Sequence, residues 1–229
     1  MSCPLPPWPR PSDVATADTS SRTPVLERNW WLRAPAVLVA PRAVFVSLRD
    51  ESDEAVQARQ DPLIAMAGLA GIASVLGTPV ARSLLNDFDF SASLIPVWAF
   101  FGGAVYALAV YWLGGGLLFY AARRLGGLGG WVRSRQILAL SSAPLALSLV
   151  TLWPLRIAIY GEDLFRTGGS DWGPGDRIFG GLLYAAFAWS VLLVVVGVRS
   201  VHGWSWGRSI GAVALAAALP VLIVVATIA

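Results

Sequence analysis

The sequence has few of the residues on which metal and catalytic sites depend. Its 229 residues include no lysine, one cysteine (Cys3) and one histidine (His202), and only 14% of them are charged. A single cysteine cannot form an intramolecular disulfide. Zinc and copper sites take three or four ligands, mostly histidine and cysteine, so these two residues cannot build one. We therefore expect no metal ion and no cofactor.

Catalytic motifs are also lacking. Neighbouring carboxylates could act as acid and base, but the acidic segments lack a nucleophile and a set of stabilising donors. A Ser205 and His202 pair lacks a third group and fits no nucleophile motif. We interpret the acidic residues as parts of solvated loops and predict that the protein is not an enzyme. These residues are Asp87, Asp89, Glu162, Asp163, Asp171 and Asp176.

What the sequence does contain is apolar residues. They make up 56% of the chain, and its mean hydropathy is +0.63. Soluble domains carry about 25% charged residues, well above the share found here. The composition predicts one all-α integral membrane domain surrounded by lipid, with no nucleic-acid partner. All basic residues are arginine, which we interpret as the codon bias of a GC-rich genome and as an indication of a bacterial source.

The first 34 residues differ from the rest of the chain. They combine six prolines with serine, threonine, aspartate and arginine, and such a mixture buries too little apolar surface to order a chain. They also lack the pattern of a secretory signal. We predict a disordered, proline-rich cytoplasmic tail over 1–34 and a membrane domain over 35–229.

Five segments of the membrane domain are long and free of charge over most of their length. A helix of about 20 residues crosses a hydrocarbon core of about 30 Å, and backbone groups in lipid must be satisfied within the helix. The sequence therefore predicts a bundle of five transmembrane helices, over residues 62–81, 94–121, 136–160, 178–198 and 210–229.

A shorter apolar segment, residues 35–49, precedes these spans and is too short to cross. Pro41 fits the first turn of a helix, and Val44, Phe45 and Leu48 then share one face. We predict a short interfacial helix. Its apolar face could lie on lipid or could pack on its own bundle.

Two of the predicted spans carry irregularities. The second, 94–121, is over-long and must tilt or bend, and three consecutive glycines at 114–116 offer a place. Pro144 removes a backbone donor from the third span. We expect the hydroxyls of Ser141 or Ser142, or neighbouring spans, to take up the carbonyl that this proline leaves free.

Arginine is distributed unevenly between the two sides of the predicted bundle. Only Arg82, Arg156, Arg166 and Arg177 fall on one side. The positive-inside rule places the richer side, and with it the N-terminus, in the cytoplasm, here the inner face of a bacterial plasma membrane. Thirteen arginines fall on that side: Arg10, Arg22, Arg28, Arg33, Arg42, Arg49, Arg59, Arg123, Arg124, Arg133, Arg135, Arg199 and Arg208.

Small residues recur four positions apart in the spans, as in Ala67 with Gly71 and Ala73 with Gly77. Such spacing lets helix backbones approach closely. The close approach could occur within one chain, in a homo-oligomer or against another membrane protein. Further glycines of this kind are Gly68, Gly102, Gly103, Gly180, Gly181 and Gly211.

The middle of each predicted span carries no charge, although ion and proton pathways usually need one. This favours a non-catalytic membrane organiser or adaptor. The alternative is a small permease or channel component with a pathway among hydroxyl groups. Its candidate residues are Ser141, Ser142, Ser148 and Thr151.

The cytoplasmic side combines arginines with a histidine and an indole ring. Arginine can hold phosphate oxygens bidentately, and indoles settle at the headgroup level. These residues could bind an anionic lipid or an acidic partner, or could control topology alone. The candidate residues are Arg123, Arg124, Arg133, Arg135, Arg199, His202, Trp204 and Arg208.

Four stretches, taken in order, resemble the YIP-domain family, the Ypt/Rab-interacting proteins and their bacterial relatives. They are PRAVFVSLRD, DPLIAMAGLAG, SSAPLALSLV and WSVLLVVVGVRSVHGWSWGRSIGAVAL. The likeness covers residues 41–229 and is strongest from Trp189 to Leu215.

The resemblance implies a five-helix membrane bundle with a cytoplasmic N-terminus. It also implies a non-enzymatic organiser, since the eukaryotic relatives bind small GTPases and shape or sort transport membranes. No residue of a GTPase contact can be transferred to this chain, because its tail is short and proline-rich.

Overall fold

The computed structural model describes residues 30–33, 35–50, 52–127, 129–169 and 173–228. Within these ranges the chain is helical and contains no strand. The eight helices named here are α1 Pro41–Val46, α2 Asp53–Leu76, α3 Ile95–Ala109, α4 Gly115–Arg124, α5 Trp131–Ser141, α6 Ala143–Tyr160, α7 Pro174–His202 and α8 Trp206–Ile228. Short 3₁₀ segments follow α1, α2 and α6 and precede α3: Ser47–Arg49, Ala81–Asn86, Gly161–Phe165 and Ala92–Leu94.

Four helical stretches in the described ranges are long and apolar enough to cross a membrane. They correspond to the second to fifth predicted spans. The first predicted span, 62–81, overlaps α2, which has 24 residues but begins with two polar turns. The count of five therefore stays a prediction. The four stretches are Ala92–Arg124, Trp131–Phe165, Pro174–His202 and Trp206–Ile223.

The long second span contains a π-helical turn, Val110–Gly114, between α3 and α4. It lies where the glycines at 114–116 were expected to allow an irregularity. A side chain at Gly115 would overlap Arg135, and a Cβ at Gly116 would lie 2.7 Å from Cη2 of Trp131. Absence of side chains at these glycines therefore lets α4 pack closely against α5.

The third span is divided at Ser142, where α5 ends and α6 begins. Pro144 occupies the first turn of α6, where its missing N–H costs nothing. Ser141 Oγ donates to the Ile137 carbonyl oxygen and Ser142 Oγ to that of Ala139, each at 2.7 Å. Neither acceptor is the carbonyl of Leu140, which lies four residues before Pro144, so the expectation that these hydroxyls take up the freed carbonyl stays a prediction.

Helix α1 packs on the bundle through the predicted apolar face. Phe45 and Leu48 are fully buried, and Val44 is nearly so. A Cβ at Gly197 of α7 would lie 2.9 Å from Cε1 of Phe45, so the ring fits where α7 has no side chain. Of the two alternatives for this helix, packing on the bundle is the one that the structure shows.

Most of the predicted tail, 1–34, lies outside the described residues. Residues 30–33 are helical, and Trp30 is buried against the core. The guanidinium carbon of Arg59, on α2, lies 5.9 Å from the centre of the Trp30 ring. Packing of the bundle therefore begins before residue 35.

Two apolar cores lie at opposite ends of the bundle. We call the end where α4 and α7 finish and α5 and α8 begin the basic end. The core there includes Phe45, Leu63, Ile137 and Val198. At the opposite end a second core surrounds Trp153, and it includes Leu76, Ile95, Leu164 and Phe165.

Candidate functional site

The residues predicted to form a site come from four helix ends, and the fold brings those ends together. The chain turns from α4 into α5 and from α7 into α8 at the basic end. Helix α8 packs on α4, and α5 packs on α7. The structure therefore places the candidate side chains at one end of the bundle, but their contacts divide them into smaller groups.

His202 and Trp204 form the centre of the largest group. Their rings stack with centres 4.6 Å apart and planes inclined by 23°. Gly203 between them has a φ of +66°, a left-handed conformation that glycine adopts without strain. This turn reverses the chain after α7 and lays the indole ring against the imidazole.

Arg208 covers another part of the same indole ring. Its guanidinium carbon lies 4.4 Å from the centre of Trp204, within the range of a cation–π contact. Nη2 of Arg208 donates to the carbonyl oxygen of Leu125, just after α4. Arg208 thus joins the start of α8 to the loop between α4 and α5.

That loop lies directly over the imidazole of His202. A Cβ at Gly129 would lie 2.8 Å from Cε1 of His202, and one at Gly127 would lie 3.2 Å from it. Larger residues at these two positions would push the loop away from the ring. The glycine-rich loop therefore has a packing role that its sequence alone did not indicate.

Arg133 links the group to the 3₁₀ segment that follows α1. Its Nη2 donates to the carbonyl oxygen of Arg49 at 3.2 Å. Arg49 donates through Nε and Nη2 to the carbonyl oxygen of Ser200, at 3.1 and 2.5 Å. A cation at the C-terminal turn of α7 is favoured by the helix dipole and by the exposed carbonyl groups.

We call Arg49, Arg133, His202, Trp204 and Arg208 the basic cluster. Arg49 was absent from the predicted site. Its sequence position, at the end of the amphipathic segment, placed it on the polar face of the predicted interfacial helix but gave no sign that it reaches α7. The contact depends on the docking of Phe45 and Leu48, which sequence periodicity leaves undetermined.

The remaining predicted residues make other contacts in the described part of the chain. The guanidinium carbon of Arg199 lies 4.6 Å from the ring centre of Trp206. Those of Arg123 and Arg124 lie over Phe119 and Tyr120, one turn earlier on α4. Arg135 turns toward Trp112, with its guanidinium carbon 4.1 Å from the ring centre.

The basic cluster has the chemistry of a phosphate-binding surface. Each guanidinium carries five N–H donors, and the bonds of Arg49 to Ser200 and of Arg208 to Leu125 use only some of them. Contact with Trp204 holds the plane of Arg208 while its edges stay available. Planar, fixed guanidinium groups suit the bidentate binding of phosphate oxygens.

The hydroxyls of the alternative permease pathway are engaged with their own helices. Ser141 and Ser142 line a cavity of about 170 Å³ but donate to backbone oxygens of α5. Ser148 donates to the Leu145 oxygen at 2.7 Å, and Thr151 donates to the Leu147 oxygen at 2.9 Å. Neither Ser148 nor Thr151 lines that cavity.

At the opposite end the structure reveals a buried ion pair that sequence analysis missed. Nη2 of Arg156, on α6, lies 2.5 Å from Oδ1 of Asp176 in the first turn of α7. Arg156 is 1% exposed, and Arg82 Nη1 lies 3.8 Å from Oδ2 of the same carboxylate. The sequence analysis had interpreted Asp176 as part of a solvated loop, and that interpretation is wrong for this residue.

Among protein families, the Yip1 domain matches this chain over residues 28–228. No curated protein and no solved structure matches the chain. Within the described ranges, no three His, Cys, Asp or Glu side chains are grouped as metal ligands would be.

Proposed function

Because the chain belongs to the Yip1 domain family, we propose that it is a non-catalytic membrane organiser or adaptor. Its basic cluster binds the headgroups of anionic lipids or an acidic cytoplasmic partner. The observation that carries this proposal is the convergence of Arg49, Arg133 and Arg208 with His202 and Trp204 at one end of the bundle. Apolar spans of this kind, in a protein of this family, fit a membrane-associated role without catalysis.

The proposal includes five membrane crossings, with α2 as the first. Ala58 and Leu63 of α2 lie in the core at the basic end, and Leu76 lies in the core at the opposite end. At 1.5 Å per residue its 24 residues extend about 36 Å, enough to cross a hydrocarbon core of about 30 Å. The helix is polar only at its start, where the headgroups would lie.

The proposed orientation places the basic end in the cytoplasm of a bacterial cell, with the N-terminus on the same side. Arginines are concentrated at this end, as the positive-inside rule requires of a cytoplasmic face. Arg82, Arg156, Arg166 and Arg177 belong to the opposite end, where Asp176 and Glu162 form ion pairs with three of them.

Single-cysteine labelling of intact cells tests both the crossing of α2 and the orientation. In a Cys3→Ser background, Gly207→Cys and Glu54→Cys should react only after the cytoplasmic side is opened. Asp89→Cys, between α2 and α3, should react from outside. All three positions are exposed. If Glu54→Cys reacts on the same side as Asp89→Cys, α2 does not cross and the five-span proposal fails.

Retention of anionic lipid tests the basic cluster. We expect the Arg208→Gln variant to bind phosphatidylglycerol about fivefold more weakly than the unaltered protein. One basic residue at an anionic surface contributes on the order of 1 kcal/mol to binding. Native mass spectrometry of the full chain, released from nanodiscs of phosphatidylglycerol and phosphatidylcholine, measures the bound lipid. The proposal predicts no such effect on bound phosphatidylcholine.

The matched control for this experiment is Arg10→Gln, which removes the same charge from the predicted tail. A general charge effect would make the two variants lose equal amounts of phosphatidylglycerol, and that result would contradict a defined cluster. Solute flux through reconstituted vesicles, above that of protein-free vesicles, would favour the permease alternative instead.

A further inference from the structure

A second cavity, separate from the basic cluster, lies between α2, α3 and α5. Its volume is about 600 Å³, within the range of about 300–1,000 Å³ that is usual for ligand sites. Most of its wall is aliphatic, with contributions from Ile64, Gly68, Ala104 and Leu108. Polar side chains are gathered toward one end, which makes the cavity amphipathic.

The polar end is formed by Gln60, Arg135 and Gln136. Gln136 is 2% exposed, and its Oε1 has no hydrogen-bond partner among the described residues. The same holds for Nε of Arg135. Buried polar groups are nearly always hydrogen-bonded, and leaving them without partners is costly in an apolar setting. These atoms point to a ligand that supplies both an acceptor and a donor.

The π-helical turn Val110–Gly114 shapes this end of the cavity. It carries Tyr111 and Trp112 into the cavity wall, and both rings contact the Arg135 guanidinium, with centres 5.2 and 4.1 Å from its carbon. Packing of Gly115 against Arg135 fixes the base of that side chain. π-Helical turns are rare in proteins, and those that occur frequently lie at functional sites.

The length of the cavity matches one leaflet of a bilayer. From Gln60 at its polar end to Gly68, the wall extends along α2 for about 12 Å at the helical rise per residue. Half of a hydrocarbon core of about 30 Å is about 15 Å. The polar end lies at the basic end of the bundle, so the aliphatic part reaches roughly to the bilayer centre.

Several side chains of the cavity wall are both apolar and exposed. They are Ile64, Leu108, Trp112 and Val132, which are 48%, 58%, 49% and 38% exposed. In a bilayer these side chains face acyl chains rather than water. An occupant would therefore enter from the membrane.

We propose that this cavity binds one anionic phospholipid with a hydroxylated headgroup. One acyl chain lies between α2 and α3, the phosphate accepts hydrogen bonds from Arg135, and a headgroup hydroxyl donates to Oε1 of Gln136. Arginine suits the phosphate because its fork of donors matches two phosphate oxygens. This site is distinct from the basic cluster and does not depend on it.

Photocrosslinking tests the proposal on the unaltered full chain. Phosphatidylglycerol with a diazirine in one acyl chain is reconstituted with the protein, and crosslinked peptides are identified by mass spectrometry. We expect crosslinks on α2 between Val56 and Gly68 and on α3 near Leu108. Crosslinks confined to other helices, or equal labelling by a phosphatidylcholine probe, would overturn the proposal.

Two variants test the two ends of the cavity separately. A Cβ at Gly68 would have no neighbour within 4 Å, so Gly68→Leu should fill the aliphatic part without strain. Arg135→Gln removes the phosphate partner. Arg135→Gln should reduce crosslinking on α2 by about tenfold, since a charge-assisted hydrogen bond contributes about that factor to binding. Gly68→Leu should also reduce it, because the leucine side chain takes the space of the acyl chain.

The matched controls make the same two types of substitution at positions outside the cavity. Gly180→Leu places leucine on α7 at a glycine that also has no neighbour within 4 Å, and Arg177→Gln removes an exposed charge at the opposite end. Equal losses in variant and control would refute the site. Arg208→Gln should leave crosslinking on α2 intact, so failure of this proposal and failure of the basic cluster give different results.

Discussion

Asp176→Leu is expected to lower the free energy of unfolding by about 3–5 kcal/mol, because it removes the carboxylate beside a buried guanidinium. Arg156 is 1% exposed, and its Nη2 lies 2.5 Å from Oδ1 of Asp176. The Asp176 side chain is 16% exposed, so both groups have lost most of their hydration, and the ion pair replaces part of what was lost. The same carboxylate favours the start of α7 through the helix dipole.

A double variant separates the pair from simple loss of packing. Replacing a buried ion pair by apolar residues is often neutral or stabilising, whereas removal of one member is not. The variant with both Arg156→Leu and Asp176→Leu should therefore recover most of the stability that Asp176→Leu loses. Thermal unfolding of the protein in nanodiscs, followed by circular dichroism, measures both.

Glu162→Gln is the control for this series. Glu162 pairs with Arg166 at 3.5 Å, but the two side chains are 64% and 50% exposed, and exposed ion pairs contribute little. The midpoint temperature of thermal unfolding of this variant should stay close to that of the unaltered protein. If Asp176→Leu shifts the midpoint no more than Glu162→Gln, or if the double variant is no more stable than Asp176→Leu, the buried pair lacks the role assigned to it.

The transmembrane helices could largely be predicted because lipid imposes long apolar segments. Their boundaries were harder to predict, as α2 illustrates. Ser52 accepts a hydrogen bond from the Ala55 backbone at 3.4 Å, and Asp53 and Glu54 occupy the first turn. The hydropathy pattern left these residues out of the predicted span, although a serine followed by two acidic residues is a typical helix start. At the other end, the predicted span extended past Leu76 to 81, beyond Gly77 and Pro79.

Grouping of the arginines was less predictable because it depends on side-chain direction. Arg133 and Arg135 are two positions apart on α5, and residues at that spacing point to different faces of a helix. One accordingly reaches Arg49 and the other reaches Trp112. Helical geometry could have separated these two from sequence, but only the fold shows which neighbours each would meet.

The ion pair of Arg156 and Asp176 escaped prediction for a different reason. Arg156 lies close to the end of its predicted span, where an arginine can reach the headgroups without being buried. Asp176 follows in a segment rich in polar residues, which is typical of a solvated loop. Only docking of the start of α7 on α6 buries both, and no local pattern specifies that docking.

Gly103→Val is expected to separate α2 from α3 and to prevent assembly of the bundle. A Cβ at Gly103 would lie 2.6 Å from Cα of Ile72, which is backbone that cannot move aside alone. On the facing helix, a Cβ at Gly71 would lie 2.8 Å from Cβ of Ala107 and would overlap the Gly103 carbonyl. Overpacking by single methylene groups costs about 1–3 kcal/mol, and valine adds more than one group at this crossing.

Three valine substitutions give an order that distinguishes packing from helix propensity, because the change in propensity from glycine to valine is the same at all three positions. Gly180 has open space around its Cβ position, Gly102 would place Cβ 3.3 Å from the flexible Cγ1 of Val75, and Gly103 meets backbone. Gly180→Val should behave as the unaltered protein in size-exclusion chromatography and thermal unfolding, Gly102→Val should lose some stability, and Gly103→Val should aggregate. A large loss at Gly180→Val would contradict this order and would instead indicate a second chain packed on that face of α7.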